Sequence, residues 1–427
     1  MKNKGNPWAL LPLLAFLLIF IGSGIATGDF NSIPIIVIVS ATAGIALAMN
    51  RKKPFMEKVE IFTKGAGHPD IILMAIIFIL AGAFSGTAKG MGAVDSTVNL
   101  ALSFIPQNLL MVGIFIIACF ISLSMGTSMG TVVALAPIGI ALSAETDISV
   151  ALAMAAIIGG AMFGDNLSVI SDTTIAAVRT QGTKMTDKFR VNFLIVLPAA
   201  LLTALILGIL TAGQESAVTS GTYSIIKVVP YIGVLAAALL GLNVILVLSG
   251  GILLAGVIGI ADGSYTFVSF LKMIAEGMAG MQTLAIIAIL IGGLVEIIRV
   301  NGGIDYLLHM ATSKIKSRRG AEFGIASLVS LTNLSTANNT IAIIIAGPLA
   351  KRIADQYEID PRKSASILDI FACFVQGTIP YGAQMLAASG LAAISPVSIM
   401  AYSIYPVLIG ICGVIAILIN FPKLKIN

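Results

Sequence analysis

Apolar runs cover residues 8–21, 33–49, 70–88, 107–124, 131–143, 148–178, 191–212, 224–241, 243–261, 281–298, 321–352, 364–392 and 397–420, with short polar connections between them. A helix needs roughly 20 apolar residues to cross a bilayer core of about 30 Å. The pattern therefore predicts an all-α polytopic membrane protein. Two runs are interrupted, 148–178 by Gly164-Asp165-Asn166 and 321–352 by Thr332–Thr340. The pieces 131–143 and 340–352 hold about 13 residues each, roughly 20 Å of helix. Too short to span, they favour re-entrant hairpins.

Order repeats as well as hydropathy. Residues 73–92 run parallel to 284–303 at a constant offset of 211, with Gly82 on Gly293 and Gly92 on Gly303. Thr131–Pro137 resembles Thr340–Pro348, and the break at 164–166 falls near Thr378-Ile379-Pro380-Tyr381. The expectation is two membrane repeats, 1–215 and 216–427, each with about five crossings and one re-entrant hairpin. An odd number of crossings per repeat gives inverted topology, a plan that places substrate near the midplane where broken helices meet.

Composition agrees. Of 427 residues, 58% are apolar and 11% charged, against roughly 45–50% and about 25% in soluble chains. So few charges cannot cover a water-facing surface, which excludes a soluble enzyme, a nucleic-acid binder and a disordered chain. The net charge of +5 has a topological explanation. Apart from Lys89, Lys227 and Lys272, the 25 Lys and Arg residues cluster at 2–4, 51–64, 179–190, 299–319, 351–363 and 423–425. Lys and Arg stay on the cytoplasmic side. One sidedness satisfies all the clusters, with both termini cytoplasmic in a cytoplasmic (cell) membrane. Lys2 and Lys4 before the run at 8–21 suggest a secretory signal, but no A-x-A site follows and the apolar pattern resumes at Ile33. An uncleaved first helix is the better reading.

Little conventional chemistry is present. Cys119, Cys373 and Cys412 are odd in number and have no C-x-x-C spacing, so neither disulfides nor thiolate metal sites are expected. His68 and His309 read as loop histidines. No cofactor and no enzymatic constellation is expected.

What remains are polar breaks at membrane depth, which survive only beside a cavity or other protein. They read Ser122–Thr131, Gly164–Thr174, Thr332–Thr340 and Gln376–Gln384. Asp165 stands out. It lies halfway along its run, and no Lys or Arg sits within two helical turns in sequence. An ionised carboxylate there is costly unless something neutralises it. A proton, a sodium ion, or both in alternation would do so, which is the physical minimum for exchange. Asp172 lies seven residues on and either shares that face or caps the restarting helix. Ser168, Ser171 and Thr173 add oxygen atoms. Glu296 is expected to pair with Arg299, Asp369 near Lys363 to have a pairing or packing role, and the other 16 acids read as solvated. At the second-half breaks stand neutral groups, Asn333, Thr336, Asn338, Asn339, Gln376, Tyr381 and Gln384. They suit satisfaction of freed backbone, recognition of an organic group, or a second ion site. Half-helix N-termini also favour carboxylates.

At these residues the chain resembles the NhaC-type sodium/proton antiporters of the wider ion-transporter superfamily. The likeness rests on Gly164-Asp165-Asn166-Leu167-Ser168-Val169-Ile170-Ser171-Asp172-Thr173-Thr174, and secondarily on the hairpin tip at 122–131. Val169 stands where the family often has proline. The resemblance implies electrochemically driven exchange of Na+ for H+ without a bound cofactor. It implies a cation site of Asp165, Ser168 and Asp172 (the two carboxylates as Na+ ligands), supported by Asn166, Thr127 and Ser128. Thr336, Asn338, Asn339, Gln376 and Tyr381 are the candidate substrate contacts of the second half. A Na+- or H+-coupled carrier of an amino acid or small organic acid stays open as the alternative. Expected partners are Na+, H+ and the lipid bilayer, with a homodimer as the assembly such carriers often adopt.

Overall fold

The computed structural model describes residues 5–27, 33–50, 53–104, 109–168, 171–212, 222–240, 242–312 and 315–424. Of the basic positions read above, Lys2, Lys4, Arg51, Lys52, Lys314 and Lys425 lie outside them. Every regular element among the described residues is helical. After a short 3-10 turn come α1 (Leu11–Thr27), α2 (Ile35–Ala48), α3 (Phe55–Ala66), α4 (Pro69–Gly90) and α5 (Ala93–Phe104). A helical hairpin follows, α6 (Leu110–Met125) and α7 (Ser128–Ala144), then α8 (Val150–Leu167), α9 (Asp172–Gln181) and α10 (Met185–Thr211). The second half holds α11 (Ile225–Leu239), α12 (Val244–Ala261), α13 (Phe267–Val300) and α14 (Gly303–Thr312). Its own hairpin is α15 (Arg318–Thr336) and α16 (Asn339–Gln356). Then come α17 (Pro361–Gln376), α18 (Ala383–Ala392), α19 (Pro396–Met400) and α20 (Ile404–Leu418). Six stretches among the described residues are helical, long and apolar enough to cross a membrane.

Several boundaries differ from the sequence reading. The hairpin arms hold 16 to 19 residues, not 13, so shortness alone no longer argues for re-entry. Helix α8 runs through Gly164-Asp165-Asn166 and stops after Leu167, where Ser168 turns to φ −63°, ψ 133°. At Gly164 the helix lies hard against α6. A Cβ built there would stand 2.5 Å from Leu123 N and 2.6 Å from Cys119 O. Likewise α15 continues through Thr332 to Thr336 before it breaks. His309 sits in α14 and not in a loop.

The offset of 211 recurs in the backbone. Gly126 (φ 68°) ends α6 in the left-handed region, and Ala337 (φ 51°) ends α15 in the same way. Thr127 (φ −147°, ψ 118°) then caps α7 by accepting Gly130 N–H, as Asn338 (φ −143°, ψ 113°) caps α16 by accepting Ile341 N–H. Pro137 and Pro348 stand inside these helices. Helices α9 and α18 start from Ser171 (φ −66°, ψ 140°) and Gly382 (φ −69°, ψ 149°). One side-chain bond repeats even though the residue changes. Ser122 Oγ donates to Ala161 O at 2.6 Å, and Asn333 Nδ2 donates to Ala372 O at 2.7 Å.

Away from the hairpins, α13 lies along α4 at very short range. A Cβ on Gly82 would stand 2.1 Å from Gly277 O, and one on Gly277 would stand 2.2 Å from Gly82 O. Bare glycines thus let the two backbones touch, the usual device for close helix packing in lipid.

Candidate functional site

Asp165 occupies the last turn of α8 and is 3% exposed. Around it converge the starts of α7, α9 and α16. Ser171 Oγ donates to Oδ1, and Thr173 Oγ1 reaches the same oxygen at 3.4 Å. Ser128 Oγ donates to Oδ2 at 3.1 Å, and Asn339 Nδ2 approaches Oδ2 at 3.4 Å. A second tier completes the cluster. Gln384 Nε2 donates to Ser128 Oγ at 3.0 Å, and Gln376 Nε2 donates to Gln384 Oε1 at 2.8 Å and to Ala337 O at 3.2 Å. Both hairpin tips and both broken helices therefore meet at one carboxylate.

The cluster borders a cavity of about 410 Å³. Thr127, Ser128, Asp165, Ser171, Asp172, Thr173, Asn338, Asn339, Gln376 and Gln384 all line it. Asp172 is exposed there, at the first position of α9, and Arg179 is exposed at that helix's last turn on the same cavity. Among the described residues no three His, Cys, Asp or Glu side chains come together. The cation ligands on offer are one buried carboxylate, the Asp172 carboxylate beside it, and neutral oxygens. A hydroxyl can donate to a bare carboxylate and, by rotating, offer its lone pairs to a metal ion. This arrangement suits a site that alternates between occupants.

Not every expected residue reaches the cavity. Asn166 and Ser168 are buried but do not line it. The Asn166 amide donates back to Met162 O at 2.8 Å within its own helix. Thr336 donates to Asn338 O at 3.1 Å and shapes the hairpin tip. Tyr381 faces away, its hydroxyl on Leu334 O at 2.6 Å and its ring against Phe16. Val169 and Ile170 lie outside the described residues.

Four charge assignments need correction. Lys188 is not a loop charge. It points inward from the first turn of α10, 1% exposed, and pairs with Asp369 Oδ2 at 2.7 Å. Asp369 therefore does not pair with Lys363, which meets Glu322 at 2.9 Å and Asn420 at 2.8 Å. Glu322 and Asp360 are buried and ion-paired, so the solvated reading fails for both. For Lys188 the reason is that α10 starts at Met185, before the apolar run at 191, and carries its first polar turn into the bundle. Glu296 does pair with Arg299. A signal for Lys188 existed, since Asn192 follows four residues later and places a second polar side chain on the same helical face.

Two helical hairpins and two broken helices packed around one buried carboxylate are the architecture of a transporter. The profile of the Na+/H+ antiporter family matches residues 6–212 and 214–422. The chain belongs to the Na+/H+ antiporter family. It is 28% identical over 398 residues to the Na+/H+ antiporter NhaC of Bacillus subtilis, covering 84% of each chain. It is 31% identical over 131 residues to the malate-2H+/Na+-lactate antiporter of the same organism, covering 31% of this chain and 28% of that one. Among solved structures it is similar to the YdaH transporter of Alcanivorax borkumensis. That likeness has a TM-score of 0.41 and 14% identity, over 86% of this chain and 88% of that one.

Proposed function

We propose that the chain exchanges Na+ for H+ by alternating access, with Asp165 as the shared binding group. The observation that carries this reading is the buried Asp165 carboxylate, met by Ser128, Ser171, Thr173 and Asn339 and by no Lys or Arg within ion-pair distance among the described residues. Its counter-charge must come from solution, as a proton or a sodium ion. One carboxylate cannot satisfy both at once, so binding of either expels the other. Asp172, exposed on the same cavity, draws cations toward the site and assists there.

The two halves act as inverted repeats. Each contributes a re-entrant hairpin and a broken helix, and these move against a scaffold that includes α4 and α13. Support comes from the constant offset of 211 in backbone conformation and from the meeting of both hairpin tips at Asp165. The cavity is bordered by Arg179, which belongs to a cationic cluster assigned to the cytoplasm. On that orientation this conformation faces inward, with both termini cytoplasmic.

The test is Na+-driven proton flux in proteoliposomes. Asp165→Asn, which keeps the size and removes the charge, abolishes exchange while the protein still inserts and purifies. Robust exchange by this variant would overturn the assignment.

A second reading has its own support. Asn338, Asn339, Gln376 and Gln384 make one cavity wall of amides, and Arg179 stands at its edge. Such a wall suits the carboxylate of a small organic acid or amino acid. Uptake of labelled lactate, malate or amino acids into the same vesicles, coupled to Na+ or H+, would establish it. Strong Na+-dependent proton flux without uptake would remove it.

A further inference from the structure

Beside the exchange site the bundle buries a lysine, and its surroundings say what it must be kept from doing. The Lys188 ammonium has three acceptors for its three N–H groups. They are Asp369 Oδ2 at 2.7 Å, Thr174 Oγ1 at 2.7 Å and Asn166 O at 2.9 Å. Asn166 is the neighbour of Asp165, and Thr174 the neighbour of Thr173, whose hydroxyl reaches Asp165. Asn192 Nδ2 bridges the same carbonyl at 3.0 Å and the same Asp369 oxygen at 2.8 Å. The ammonium thus sits where the end of α8 meets the start of α9, one residue from the ion site on both strands of chain. A lysine head on four flexible carbons can be redirected by a new partner. In a low-dielectric interior an ammonium freed from one carboxylate is strongly drawn to another.

The pair is also absent from the repeat. The positions 211 residues away from Asp369 and Lys188 are Ile158 and Ile399, both buried and apolar. The equivalent place in the other half packs without an ion pair. The pair occurs once, next to the half that carries Asp165.

We propose that Asp369, with Asn192, is a positioning residue that holds Lys188 off Asp165, so that the exchange carboxylate has no tethered cation and remains open to Na+. This inference rests on the role given to Asp165 above. Asp369 itself need touch neither ion.

The experiment reads the Na+ concentration that half-saturates exchange, at one fixed pH, in proteoliposomes holding the full chain. Asp369→Asn raises it about 10-fold or more, the scale on which outer partners tune a bound cation. Adding Lys188→Met to that variant returns it toward the starting value, because the competing ammonium is gone. Lys188→Met alone leaves it at or below the starting value. If Asp369→Asn does not fold, the two Lys188→Met variants still decide, since a marked rise in either would overturn the proposal. So would an unchanged value in folded Asp369→Asn, or a double variant as impaired as the single one, the result expected of a merely structural pair. If instead Asp165→Asn exchanges normally, the reading of Asp165 fails first, and the two failures are distinguishable.

Discussion

Ser128, Asp165, Ser171 and Thr173 in the first half stand opposite Asn339, Gln376, Gly382 and Gln384 in the second, each pair separated by 211 residues. Their backbones follow matching paths through hairpin tip and helix break. Their chemistry does not match. One side offers a carboxylate ringed by hydroxyls, the other a chain of amides that donate and accept among themselves and toward Ser128. The difference teaches that the shared path supplies the location, and the side chains decide which half presents a carboxylate there. Gly382 is the most telling member, because the Ser171 hydroxyl on Asp165 has no counterpart there.

The comparison can be broken most severely by transposing it. A chain with both Asp165→Gln and Gln376→Asp moves the carboxylate to the amide half. We expect no Na+-driven proton flux from it, because no hydroxyl at 382 receives the new group; substantial flux would mean that the halves are interchangeable. A milder change removes one partner and keeps the carboxylate. Ser171→Ala deletes the donor to Oδ1, and hydrogen bonds to charged groups contribute about 1.5–3 kcal/mol. The half-saturating Na+ concentration should rise by about 10- to 100-fold, with exchange still measurable at high Na+. The smallest effect concerns the tips. Ala337 shows that an alanine fits the left-handed position that Gly126 occupies in the first half. Gly126→Ala should therefore fold and exchange, with a thermal-stability loss equivalent to about 1–2 kcal/mol.

Much of this was legible in the sequence, for physical reasons. Burying an unpaired acid in an apolar run is costly, so Asp165 announced itself, and polar breaks at membrane depth had to surround a cavity. The offset of 211 was visible because the same turns need the same spacing. What stayed hidden depends on the direction a side chain takes out of its helix. Tyr381 and Gln384 read alike as polar residues of one break, but the first turns toward Phe16 and the second toward Ser128. Lys188 lay among cationic neighbours that do face solvent, and only the early start of α10 sends it inward. Asp369 sits six residues after Lys363, near enough in sequence to suggest a pair that the helix geometry does not make.

The glycine contact between α4 and α13 has a mechanical corollary. Where carbonyl oxygens press on bare α-carbons, as at Gly82 and Gly277, neither helix can slide or roll without a collision. This pair behaves as a keel. Whatever displacement carries an ion from one face of the bilayer to the other must be borne by parts of the chain that are not fastened to it.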